Sequence, residues 1–147
     1  MTMPQLWTAR ALHDAIATAD LCRNDQVSIE LIEGADASLR VTMHEYGDLP
    51  IYIAVIGEQI IAEALLWPAS EVNDYVRFNE EVLRTHKLFP LSCISIESLP
   101  NGQPCYTMFG ALSSASTLSD VVLEIELLAD NVIKATEAYE SFLKPSA

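Results

Sequence analysis

Residues 49–90 read LPIYIAVIGEQIIAEALLWPASEVNDYVRFNEEVLRTHKLFP, two apolar runs that pass through Trp67-Pro68 into an amphipathic segment closed by Pro90. The first run, Ile51 to Ile56, is apolar on both of its alternating faces, and in the second, Ile60 to Trp67, Glu63 is the only charge. Strands of this kind must be covered on both sides. Gly57-Glu58-Gln59 supplies a turn between them, so they read as neighbours in one sheet. Pro68 breaks the second strand; Ser70 is the expected N-cap of a helix, and Glu71 suits the positive end of its dipole. Val72, Tyr75, Val76, Val82 and Leu83, with Asn79 among them, are expected on one face, opposite Arg77, Glu80, Glu81, Arg84 and Lys87. One cover for the two strands is therefore a helix, and the other is open to a second subunit.

Outward from this unit, Leu6, Ala9, Leu12, Ile16 and Ala19 recur at helical spacing and predict a first helix over 6–22. Val27 to Leu31 and Leu39 to Met43 alternate apolar and polar residues, as an antiparallel pair with one wet face does. Asn101-Gly102, flanked by Pro100 and Pro104, predicts a hairpin with a wide loop between the runs 91–98 and 105–112. A last helix is expected over 118–143, with Thr117 and Asp120 in capping spacing. The expected fold class is α+β, a mostly antiparallel sheet with three helices in the order α-β-β-β-β-α-β-β-α. It forms a single domain over 1–147, with 144–147 a frayed tail.

Eight Lys and Arg stand against 21 Asp and Glu, a net charge of -13, which argues against nucleic acid or an anionic membrane surface as a direct partner. A basic protein partner suits it better. Cys22, Cys93 and Cys105 are odd in number and form no CxxC, the pattern of free thiols in a reducing compartment. Arg10, His13 and Asp14 interrupt the stretch where a signal peptide needs an apolar run, and Glu58, Gln59 and Glu63 interrupt the longest apolar stretch, so no membrane insertion is expected. A cytoplasmic location follows as the expectation.

His86 precedes Cys93 by seven residues, the one thiol and imidazole pairing that a nucleophilic mechanism would use, yet no third residue orients it. His13 and His44 lie on polar faces without ligands at metal spacing, so no metal is expected. Ser113, Ser114, Ser116 and Ser119 lack the Gly-x-Ser-x-Gly elbow, and the scattered glycines form no phosphate loop. No cofactor is expected. The leading expectation is a non-enzymatic protein-binding or dimer surface built from Tyr52, Ile56, Ile61 and Leu65 with Trp67 and Phe89. The alternative is a small enzyme using His86 and Cys93, or Glu63 with Arg84.

The segments LPIYIAVIGEQIIAEALLWP (49–68) and VNDYVRFNEEVLRTHKLFPLS (72–92) resemble the YjfI-type family of uncharacterised bacterial proteins, clearly over residues 40–98 and loosely elsewhere. That family is commonly encoded beside PspA-like membrane-stress proteins, so the resemblance implies a PspA-type coiled coil as partner. The stretch from Ile60 to Phe142 is also similar to the type III secretion chaperone fold. Its parts would be a strand ending at Pro68, a helix over Val72 to His86 carrying Asn79, the hairpin at Asn101-Gly102, and a long acidic helix from Leu118. This second resemblance implies a small acidic homodimer that holds a segment of a partner, and an extra strand before Ile51 departs from its pattern.

Overall fold

In the computed structural model, which describes residues 5–145, two short helices come first, α1 (Ala9–Ala17) and the single turn α2 (Asp20–Arg23). Four strands follow, β1 (Val27–Ile32), β2 (Ser38–Met43), β3 (Leu49–Ile56) and β4 (Gln59–Pro68). Then α3 (Tyr75–Thr85) leads into β5 (Cys93–Ser98) and β6 (Pro104–Ser113), and α4 (Leu118–Ala138) is the last long element. The strand order is β1-β2-β3-β4-β6-β5, with every neighbouring pair antiparallel. This is the expected α+β class and element order, with one helical turn added. The first helix is two pieces because the Thr18 hydroxyl donates back to the Asp14 and Ala15 carbonyls and Ala19 is extended.

Antiparallel partners share a face, so the register can be read across the sheet. One row, Leu31, Leu39, Ile53, Ala62 and Gly110, lies on the helix side. There α4 sets Val121, Ile125, Leu128 and Val132 over the central strands, while α1 sets Leu12 and Ile16 over β1 and β2. Burial of each such side chain contributes roughly 1.5–3 kcal/mol. The adjacent row, Glu30, Arg40, Tyr52, Glu63, Phe109 and Cys93, faces the other way. Among the described residues no helix covers that face.

Gly110 is required by what lies above it. A Cβ there would come 1.5 Å from Glu124 Oε1, whose carboxyl is buried between α4 and the sheet. Glu124 Oε1 makes no hydrogen bond, and burial raises its pKa above the ordinary carboxylate value. Asn131, two turns further along the same face of α4, donates to the Pro90 carbonyl and to Ser92 Oγ, each at 2.9 Å. It thereby straps the loop between α3 and β5 to the core.

Three expectations from the 49–90 stretch are corrected. The helix does not start at Ser70: residues 69–71 make a 3-10 turn, Val72 bridges to Leu143, and Asp74 in the left-handed region caps α3 by accepting from the Arg77 amide. This later start rotates the buried face. Phe78 and Val82 are buried, and Tyr75, Val76 and Leu83 point to solvent. Trp67 does not join Leu65, because a bulge between them turns it to the helix side, where it meets Phe78 edge-on at 5.8 Å. Phe89 is likewise core, packed on Tyr139 at 5.9 Å.

Phe78 is the hub of this corner. Besides Trp67 it packs on Tyr106, Tyr139 and Phe142, at 4.9, 5.4 and 5.3 Å between ring centroids. Thr117 caps α4 by accepting from the Asp120 amide at 3.2 Å, as its spacing predicts. The wide loop at Asn101-Gly102 also forms, with Gly102 at φ +82°. The Lys144 amide donates to the Glu71 carbonyl, so the chain is still tied where fraying was expected to begin. Residues 146 and 147 of that tail lie outside the described residues.

Candidate functional site

The helix-free side of the sheet brings together four of the six expected surface residues. Tyr52 and Ile56 on β3 and Ile61 and Leu65 on β4 share this face, joined by Ala54 from β3 and Phe109 and Ala111 from β6. Tyr52, Ile56 and Leu65 are 38, 60 and 46% exposed. Sequence reasoning missed Phe109, which only the register of β6 against β4 places opposite Glu63. The cause of the exposure is simple. Both long helices pack on the other side, and the apolar alternation of β3 and β4 leaves an apolar stripe facing water.

In the middle of this stripe sits Glu63, with Tyr52 across from it on one side and Phe109 on the other. Its carboxyl is pushed up to about 7, first by burial among these rings and then by the charge of Glu97, with which it shares a hydrogen bond. The same cluster, with Glu71, adds to burial in raising the Cys105 thiol. At the β1 end Glu30 and Arg40 are directly bonded across the strands. The open face is thus apolar around one half-buried carboxyl, acidic toward β5 and charge-paired toward β1.

A second open surface lies at the β5 edge of the sheet. Tyr75, Val76 and Leu83 project from α3, and Ile96 from β5, all more than half exposed. Between the two elements is a groove of about 270 Å3 lined by Asn79, Val82, Leu83, Ile94, Ile96 and Tyr106. The Tyr106 hydroxyl donates to Asn79 Oδ1 at its floor. The phase error in reading α3 concealed this surface in the sequence.

Neither pair of the enzymatic alternative is hydrogen-bonded to its partner among the described residues. His86 Nε2 accepts the Ile94 amide at 3.1 Å, so its lone pair anchors the start of β5, and Cys93 is exposed on the helix-free face. Glu63 lies on that face too, whereas Arg84 on α3 pairs with Glu80. The structure does not bring Glu63 and Arg84 together. An arrangement the sequence did not suggest links Ser28 Oγ to His44 Nε2 at 2.6 Å and His44 Nδ1 to Asp48 at 2.7 Å. These are the contacts of a nucleophile, base and orienting acid. They lie on open surface, with His44 and Asp48 side chains 38 and 72% exposed. The cleft formed by the flanking residues, about 260 Å3, is lined instead by Leu21, Gln26, Val27, Met43, Glu45, Tyr46 and Glu126. Among the described residues no three His, Cys, Asp or Glu side chains cluster as metal ligands, and no helix is long and apolar enough to cross a membrane.

Comparison with known proteins gives a consistent placement. A family model described as an uncharacterized protein conserved in bacteria (DUF2170) matches residues 6–143. The protein named Uncharacterized protein YjfI is 34% identical over 136 residues in Escherichia coli K12 and likewise in Escherichia coli O157:H7, covering 92% of this chain and 97% of the relative. Among solved structures, YbjN from Escherichia coli matches with a TM-score of 0.60 at 13% identity, over 92% of this chain and 93% of that one. An uncharacterized protein from Methanothermobacter thermautotrophicus matches with a TM-score of 0.58 at 15% identity, over 89% of this chain and 99% of that one. These two share the fold.

Proposed function

On the premise that this chain belongs to the bacterial DUF2170 family, we propose that it is a cytoplasmic, non-enzymatic protein-binding module, chaperone-like or regulatory, whose helix-free sheet face holds an amphipathic segment of a partner. One observation carries this reading: a folded chain with a well-filled core leaves Tyr52, Ile56, Ile61, Leu65 and Phe109 as one stripe with no helix over it among the described residues. Water contact on such a stripe is costly, and covering it returns about 25 cal/mol per Å2. The acids beside the stripe select a segment whose apolar residues are flanked by Lys or Arg, which steers association and fixes orientation. The PspA-like coiled coil that the YjfI resemblance implies is the first partner to test.

Titration of the purified chain with the PspA-like protein of the same bacterium tests this directly. Saturable binding that is lost on Leu65→Asp and Ile61→Asp, with the fold retained by circular dichroism, supports the reading. Binding that survives both substitutions, or its absence together with empty affinity captures from the native cell, removes it.

A second reading, a serine-type acyl hydrolase, is favoured only by the Ser28, His44 and Asp48 contacts. Labelling of Ser28 by a fluorophosphonate that disappears in His44→Ala supports it. No labelling at Ser28 eliminates it.

A further inference from the structure

We propose that Glu124 is a proton-operated latch on the loop between α3 and β5: as a carboxylic acid it donates its O–H to the Leu91 carbonyl and holds residues 90–92 against α4, and on losing that proton it lets them go. The space that a Cβ would take on Gly110 is occupied by Glu124 Oε1, and the Leu91 carbonyl oxygen is 3.0 Å from the same point, so the two oxygens share the notch above the glycine. Glu124 is 5% exposed, and its Oε1 has no hydrogen-bond partner. Two acceptors that face each other out of water repel, and a proton on the carboxyl turns it into the donor that the carbonyl needs. A metal ion would need more ligands than this: among the described residues no three His, Cys, Asp or Glu side chains cluster to hold one.

The loop is one that has to be held. Leu91 has φ +65°, in the left-handed region that a side chain disfavours, and that side chain is 60% exposed, so its own packing does not fix the conformation. The hold comes from α4. Asn131 donates to the Pro90 carbonyl and to Ser92 Oγ, on either side of Leu91, and leaves the carbonyl between them to Glu124. The two α4 residues differ in kind. The Asn131 amide donates at any pH, whereas Glu124 donates only while protonated. One is a permanent strap and the other a conditional one. What the latch releases is the lead into β5, an edge strand of the sheet, on a segment that already presents Leu88 and Leu91 to water.

The surroundings set the direction of the switch. Burial raises the Glu124 pKa, with no contribution from a neighbouring charge. Gly110, its register partner Ala62, and Pro90, Leu91 and Ser92 carry no titratable side chain, and Tyr52 and Glu63 lie on the other face of the sheet. On α1, which also packs on α4, His13 is bonded to Asp14, and Asp120, one turn before Glu124, is exposed. Tyr106 and Tyr139 belong to the aromatic corner around Phe78. A group whose pKa is raised by folding contributes its hold fully below the ordinary carboxylate range and loses it as pH rises through the folded value. His86 works in the opposite sense. Its Nε2 accepts the Ile94 amide, and a proton on that nitrogen would end the bond, so falling pH loosens what His86 holds while rising pH loosens what Glu124 holds.

Two NMR readouts on the full chain between about pH 5 and about pH 9, above the ordinary glutamate range, test the latch. One is the carboxyl carbon resonance of Glu124, and the other is amide exchange over residues 91–94, corrected for the intrinsic pH dependence of exchange. The Glu124 resonance is expected to titrate above the exposed carboxylates of the chain, and protection over 91–94 to fall about tenfold through the same interval, the effect of one lost hydrogen bond. Glu124→Gln, whose amide donates at every pH, is expected to keep the protection and lose its pH dependence. Asn131→Ala is expected to lower protection at all pH values and to leave the Glu124 step in place. A Glu124 resonance that titrates with the exposed carboxylates, or a loss of protection with rising pH that persists in Glu124→Gln, overturns the proposal. If Glu124→Gln does not fold, the wild type decides alone: a protection step that coincides with the Glu124 titration supports the latch, and one that does not coincide overturns it.

Discussion

Two neighbouring rows cross the same strands of the sheet and meet opposite fates. Leu31, Leu39, Ile53, Ala62 and Gly110 lie under helices, while Glu30, Arg40, Tyr52, Glu63, Phe109 and Cys93, shifted by one residue along each strand, face water. Composition separates the rows only at their ends. At the β1 end the open row carries an ion pair, as a wet face should; in the centre it carries two aromatic rings around a carboxyl whose pKa is raised to about 7. The difference teaches that β3 and β4 are sequenced for two covers and receive one from the described residues of their own chain. What the second cover is decides the function.

The sharpest way to break the comparison is to exchange the consequences of truncation on the two sides. Phe78→Ala, which removes the ring touching four others on the helix side, should cost about 3–5 kcal/mol in denaturant unfolding. Leu65→Ala or Tyr52→Ala on the open side should cost about 1 kcal/mol or less. If the open-side truncations cost as much as Phe78→Ala, the face is structural and the comparison fails. Next in size, Gly110→Ala should destabilise by about 1–3 kcal/mol, because its Cβ runs into the Glu124 carboxyl. Adding Glu124→Ala should recover much of that loss, a non-additivity that a double-mutant cycle reads.

The smallest effects are in pH. Both Glu63 and Glu124 have pKa values raised in the folded chain, so each contributes stability that is complete below the ordinary carboxylate range and is lost as pH rises through the folded value. For Glu63 that window runs from 4.5 to about 7. Melting temperature should therefore fall from pH 5 to pH 8, and less so in Glu63→Gln. A Glu63→Gln profile parallel to the wild type would show that the open-face carboxyl is not held protonated. The half-buried position of Glu63 keeps this effect modest.

Much of this fold was legible in the sequence, because period-2 alternation marks β1 and β2, apolar runs between Pro or Gly punctuation mark the other strands, and Thr117 with Asp120 marks the last cap. The open stripe was legible for the same reason: strands apolar on both faces announce a second cover. Two kinds of feature were hidden. A β-bulge after Leu65 moves Trp67 to the other face, and an aspartate in the left-handed region delays α3 by a turn; neither leaves a signal in hydrophobic spacing. The late start shifted the apparent phase of α3, which hid both Phe78 as the aromatic hub and the exposed Tyr75, Val76 and Leu83 surface. Buried Glu124 was hidden too, since a glutamate in an acidic helix reads as solvated, and only the missing side chain at Gly110 makes room for it.

Photo-crosslinking in the native cell from a single benzoylphenylalanine at position 61 tests the central claim most directly, because Ile61 sits in the middle of the open stripe. The account predicts a crosslink from this position to a polypeptide other than this chain. Crosslinks at position 61 only to this same chain, or none there, would contradict it.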